Sequence, residues 1–206
     1  MRFLLLLLLA LSPLLAGAAE FDEHARRVPL GPLMDIYEDP RGTATIEQVS
    51  AADFAGPFRR HEDAVFNGGY SRAAYWIRVD LNYRPTNPGQ SQRWLLELGY
   101  PPLDRVELYR PDGHGGYRAA QPTGDTLPWA SREIGQGNYL FELELPPSQP
   151  QRFYLRVQSQ GSIQVPLTLW SVHAYIEERP GHIYALGLIY GVLLAMLVYN
   201  LLIYVS

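Results

Sequence analysis

Apolar side chains in the middle of this chain recur at every second position in short runs, whereas at both ends they become continuous. Neighbouring side chains of an extended strand point to opposite faces, so a period of two marks half-buried strands. The runs fall at residues 33–37, 74–83, 93–99, 105–110, 139–145, 152–158 and 164–170, predicting seven strands. Stretches 42–47 and 116–120 carry weaker alternation and predict short edge strands, and only 46–58 has a helical look. Gly, Pro, Asn and Asp cluster at 84–89, 111–116 and 146–150, where turns need fixed or left-handed dihedrals. No repeat of 20 to 50 residues is present. Seven strands within residues 19–180 predict one all-β domain, a sandwich or barrel.

The ends read differently. Met1-Arg2 opens an apolar run interrupted only by Ser12-Pro13 and closed by the small residues Ala16-Gly17-Ala18, the layout of a signal peptide over residues 1–18 with cleavage before Ala19 or Glu20. An uncleaved anchor is the competing reading, but the run is shorter than the roughly 20 residues a span requires. Residues 183–205 carry no charge and one strongly polar side chain, Asn200, which predicts a transmembrane helix with Tyr184, Tyr190, Tyr199 and Tyr204 partly at its ends. A buried globular helix is the alternative, and few soluble helices are apolar on every face for so long. An amide in lipid seeks a partner on another helix, so Asn200 predicts packing into a bundle and a chain that is the front portion of a longer receptor.

Composition narrows the chemistry. There is no cysteine, which excludes disulfide scaffolds, thiolate metal sites and cysteine nucleophiles. All 17 basic residues are arginine against 21 acids, a formal net charge of −4 with no basic stripe, which argues against nucleic acid as a partner. Five histidines are scattered without an H-x-x-x-H pair, and no G-x-S-x-G elbow occurs, so neither zinc hydrolysis nor acyl transfer has a motif. Glu97, Glu107, Glu142 and Glu144 could pair across strands as glycosidase acids, although any acidic sandwich offers such pairs. The expectation is a non-catalytic chain.

In the strand 74–82, Tyr75, Ile77, Val79 and Leu81 share the core face, and Trp76, Arg78, Asp80 and Asn82 share the other. The second row is either a ligand platform or an outer face whose Arg and Asp neutralise each other; composition alone favours the latter. The strand at 152–158 repeats the pattern with Phe153, Leu155 and Val157 inward.

Gly68-Gly69-Tyr70-Ser71 leading into Tyr75-Trp76-Ile77-Arg78, then Trp94-Leu95-Leu96-Glu97, Leu103-Asp104-Arg105-Val106-Glu107-Leu108-Tyr109, Gly124-Asp125, Arg132, Phe153-Tyr154-Leu155-Arg156-Val157 and the stretch 159–162 form an ordered series. It resembles the type 2 extracellular sensor domain of the 7TMR-DISM bacterial receptors, with RetS-like and LadS-like sensor kinases as the nearest kind. Tyr190-Gly191 followed by Tyr199-Asn200 resembles the first helix of that family's seven-helix region. The resemblance implies a periplasmic jelly-roll sandwich similar to carbohydrate-binding modules, in the inner membrane of a Gram-negative bacterium. It further implies a signalling receptor with a histidine kinase or cyclic-di-GMP output, a role in the motile-to-biofilm switch, and a glycan or calcium ligand.

Sugar recognition needs an aromatic face and planar hydrogen-bonding groups. Trp76, Arg78 and Asp80 offer both, with Trp129, Arg132 and Tyr139 as rim residues; Trp129 could equally cap the core, and Arg156 is read as a brace within the sandwich. Calcium needs converging oxygens, for which Asp80 with Asn82, or the loop acids Asp112 and Asp125, are available. A ligand-free module that forms a homodimer or receptor heterodimer is the alternative function, and a glycoside hydrolase a further one. The short linker 171–181 predicts that a shift of the sandwich is felt by the membrane helix.

Overall fold

The computed structural model describes residues 18–87, 92–178 and 180–205. The signal-peptide expectation falls on residues 1–17, outside the described residues. Among the described residues thirteen strands are present: β1 Ala19–Phe21, β2 Arg27–Pro29, β3 Met34–Asp39, β4 Arg59–Arg60, β5 Phe66–Tyr70, β6 Ala74–Tyr83, β7 Gln92–Leu98, β8 Arg105–Pro111, β9 Tyr117–Ala119, β10 Tyr139–Leu145, β11 Gln151–Gln158, β12 Ser162–Val165 and β13 Leu167–Ser171. The helices are α1 Ile46–Ser50, α2 Val172–Glu178 and α3 Pro180–Val205.

Two sheets face each other. The larger runs β4-β3-β6-β11-β8-β9, with β1 parallel to the end of β6; the smaller runs β10-β7-β13-β2. With the eight strands β2, β6, β7, β8, β9, β10, β11 and β13 counted in chain order, one sheet holds 2-7-4-5 and the other 1-8-3-6, the interleaving of a jelly roll. The expected sandwich is therefore present, with β3, β4 and β1 added along the edge of β6. Its core is the period-two set: Tyr75, Ile77, Val79 and Leu81 of β6 and Leu155 and Val157 of β11 pack against Trp94, Leu96 and Leu98 of β7 and Phe141 and Leu143 of β10.

Three local expectations need correction. Residues 42–47 form no strand, because the turn after β3 leads into α1: the buried Asp39 carboxylate accepts from Ala44 N–H at 2.7 Å, and Gln48 Oε1 accepts from Thr45 N–H at 3.0 Å. The run at 164–170 is two strands, since Pro166 has no N–H to continue a ladder; β12 pairs with β5 in a separate ribbon and β13 joins the smaller sheet. The third concerns the outer face of the larger sheet, which is not open throughout. Ile46 and Val49 of α1, with Phe54 and Phe58 beyond it, form a small second core over Trp76 and Tyr154. Five residues is short for a helix, and α1 holds through this burial and its Gln48 cap rather than through propensity.

Helix α3 contains Leu186–Tyr204, a 19-residue stretch of mean hydropathy 2.3 that is long and apolar enough to cross a bilayer. Asn200 lies within it, donating from Nδ2 to the carbonyl of Met196 one turn back at 2.8 Å.

Candidate functional site

The outward row of the larger sheet is set by register. Antiparallel pairing places Arg152 opposite Asp80, Tyr154 opposite Arg78 and Arg156 opposite Trp76, while on the far side of β11 Glu107 meets Arg156 and Tyr109 meets Tyr154. On the other edge of β6, Asp35 of β3 stands opposite Arg78. Opposite charges thus face one another across strands, an arrangement that stabilises the pairing.

This register decides what becomes of the residues singled out from the sequence. Trp76 is completely buried beneath α1, with the Tyr109 ring tilted against it at 5.3 Å between centroids, and presents no ring face to solvent. Arg78 donates to Asp35 Oδ2 at 3.0 and 3.2 Å and lies over the Phe58 ring at 4.4 Å. Asp80 gives both carboxylate oxygens to Arg152, at 2.7 and 2.8 Å. Asn82 is buried and donates to Glu20. The pairing expected to hold calcium is therefore split between two different partners, and among the described residues no three His, Asp or Glu side chains gather as a metal-holding group. Asp112 turns inward on its own loop, accepting from His114 and Gly116 N–H, which holds its carboxyl below the usual range.

Trp129, Arg132 and Tyr139 do come together. The Arg132 guanidinium is sandwiched between the Trp129 ring at 4.4 Å and the Tyr139 ring at 4.6 Å, and it donates to the carbonyls of Gln136 and Gly137. Trp129 is 59% exposed, so the rim expected there has one open aromatic ring. Tyr139 is buried, its hydroxyl within reach of the Pro101 and Leu103 carbonyls, and serves as the floor of the stack.

The open part of the outer face lies beside α1 instead. There a groove of about 560 Å³ runs between Thr45–Glu47 and strands β8, β9 and β11. Glu107 forms its floor and is nearly buried. It accepts from Arg105 at 2.6 and 3.0 Å, from Arg156 at 3.2 Å and from the Tyr109 hydroxyl at 3.3 Å. Arg156 is held further by the carbonyl of Gly42 at 3.1 Å and by Gln158 Oε1 at 3.0 Å. Gly42 sits at φ +65°, so the turn needs glycine for its conformation. Tyr109 and Tyr117 are half-buried along the groove. Burial pushes both phenols up to about 12, with the Glu107 carboxylate adding to the effect at Tyr109, so both remain protonated donors at any ordinary pH. Arg156 is thus the brace the sequence suggested and also part of the groove floor.

Trp76, Arg78 and Asp80 lie on the outer face of the larger sheet that carries this groove, but the groove is lined by α1, β8, β9 and β11 rather than by β6. Alternation in Arg105-Val106-Glu107-Leu108-Tyr109 already places Glu107 and Tyr109 on one face; what it lacks is the register that sets Arg156 beside Glu107.

The described residues thus form a jelly-roll sandwich with an aromatic and charged groove on an outer sheet face, followed by a helix long and apolar enough to cross a bilayer. The chain belongs to the family described as 7TMR-DISM extracellular 2, whose model matches residues 31–171. It is accordingly a sensor domain of this receptor class, with its β domain outside the membrane, and α3 fits the first transmembrane helix. Comparison with curated protein sequences gives no match. Solved structures similar to it include CBM32-1 from a family 31 glycoside hydrolase of Clostridium perfringens, 14% identical, covering 67% of this chain and 94% of that chain at a TM-score of 0.27. At that score the strand order, not the likeness, defines the fold.

Proposed function

We propose that this chain is the periplasmic ligand-sensing portion of an inner-membrane signalling receptor of the histidine-kinase or cyclic-di-GMP kind, that it binds a glycan in the Tyr109–Tyr117 groove, and that it catalyses no reaction. The observation carrying the glycan reading is the groove floor. Glu107 fixes the Arg105 and Arg156 guanidinium groups as planar donors beside two tyrosine rings, which is the combination vicinal hydroxyls and apolar sugar faces require. A nearly buried carboxylate gripped by two guanidinium groups and a phenol suits an anchor for those donors better than a proton shuttle, which supports binding over hydrolysis. Glu97 is similarly engaged, accepting from Asn138 Nδ2 and Trp170 Nε1 at 2.7 Å each.

Transmission is supported by α2. Ala174 and Tyr175 pack on Leu95, Leu140 and Trp170 at the outer face of the smaller sheet, and Glu177 accepts from Arg26 at 2.7 Å. The helix thus belongs to the sandwich, and α3 begins two residues after it ends. Ligand binding biases the receptor only through unequal affinity for two states of this packing.

Calorimetric titration of the whole chain in detergent micelles against neutral and acidic oligosaccharides, with a calcium chloride arm, tests the reading. Binding of one glycan series that Tyr117→Ala weakens at least about ten-fold supports it. Heat from calcium alone would replace glycan with metal, and self-association with no response to any ligand would favour the dimerisation module.

A further inference from the structure

We infer that the groove continues past Arg105 and Gln158 into a second polar pocket, so that the site takes a linear oligosaccharide rather than a single sugar unit. The inference rests on the glycan reading above. The second pocket, of about 590 Å³, lies at the loop end of the sandwich, and Arg105 and Gln158 line both spaces. Gln158 is tied on each side of the ridge: its Oε1 accepts from Arg156 in the first groove at 3.0 Å, and its Nε2 donates to the Arg72 carbonyl on the second side at 3.4 Å.

The second pocket is preformed. Asp104 Oδ2 accepts from Gln160 N–H at 2.8 Å, and the Asp104 carbonyl accepts from the Thr126 hydroxyl at 2.8 Å, so three loops meet at one residue. Gly124 permits this, because a Cβ there would fall 1.9 Å from the Asp104 carbonyl oxygen. Its chemistry differs from the first groove. No aromatic side chain lines it, and the Arg72 guanidinium, Gln160, Thr126 and Asp104 present donors and acceptors suited to hydroxyls. One space therefore stacks and orients a sugar, while its neighbour only hydrogen-bonds. Each alone is within the roughly 300–1,000 Å³ of small-molecule sites, and together they form a bent track longer than one ring needs.

Chito-oligosaccharides, cello-oligosaccharides and oligogalacturonides of one to six units, titrated into the whole chain in detergent micelles, test the inference. In the series that binds, affinity should rise about ten-fold or more between monosaccharide and tetrasaccharide, as two or more added hydrogen bonds require. Arg72→Ala with Gln160→Ala, both exposed positions, should return the tetrasaccharide to monosaccharide affinity and leave the monosaccharide unchanged. Affinity independent of length, or an equal loss for both ligands in the double variant, overturns the second subsite while the glycan reading stands. Binding in no series overturns the glycan reading and this inference with it.

Discussion

Glu107 shows how one side chain serves both fold and site. It is 10% exposed and paired with an Arg156 that is 11% exposed, so the desolvation of both charges is offset by their mutual contact, the extra donors from Arg105 and Tyr109 to Glu107, and the Gly42 and Gln158 acceptors for Arg156. Glu107→Ala leaves the Arg156 guanidinium without that partner, and unfolding in denaturant should show a loss of about 3 kcal/mol. The neighbouring phenols make a second prediction at this scale. Tyr109 and Tyr117 titrate from 10.0 in the ordinary state up to about 12 in the fold, so the folded chain holds protons that the unfolded chain releases. Their contribution is complete below pH 10 and is lost as pH rises from 10 to 12. Absorbance of tyrosinate should lag for these two residues, and the Tyr117→Phe variant should show a shallower fall in stability across that window.

At the scale of elements, the free edge of β10 is closed by an ion pair. Arg110 of β8 and Glu133 meet at 2.6 and 2.7 Å; Glu133 Oε1 accepts from Glu142 N–H at 2.8 Å, and Arg110 donates to the Glu142 carbonyl at 3.2 Å. Two side chains thereby occupy the backbone positions that another strand would take, and they also link the two sheets at that edge. Glu133→Ala should cost about 1–2 kcal/mol and raise self-association measured by sedimentation. Elements also explain which strands were legible. β6 and β10 have the extents that period-two alternation predicts, because each has one face in the main core. β1, β2, β4 and β5 were missed, being short or, in β5, glycine-containing, with no alternation long enough to read.

For the whole molecule, the apolar packing of α2 on the sandwich is joined by an ion pair of Arg26 with Glu177, and His173 of the same helix lies 2.9 Å from that carboxylate. The hydrogen bond from Arg26, with the His173 charge next, holds the Glu177 carboxyl below its usual range. Its contribution is therefore present above the unfolded value of 4.5 and fades as pH falls through the lower folded value. Arg26→Glu should speed amide hydrogen exchange in α2 at neutral pH, and adding Glu177→Arg should slow it again. Exchange unchanged by either variant would mean that the Trp170–Tyr175 packing holds α2 alone.

Sequence alone determined the all-β class, the face on which each long strand carries its core residues, the bilayer-length apolar helix and the family resemblance. These depend on local periodicity and composition, which a chain displays whatever its strand order. Tertiary structure alone decided that α1 covers Trp76, that Arg152 occupies Asp80, and that Arg156 and Glu107 meet beside Tyr109 and Tyr117. Those outcomes depend on register and on which segment crosses a sheet face, and both arise from contacts between residues as far apart as Gly42 and Arg156, which no local pattern records.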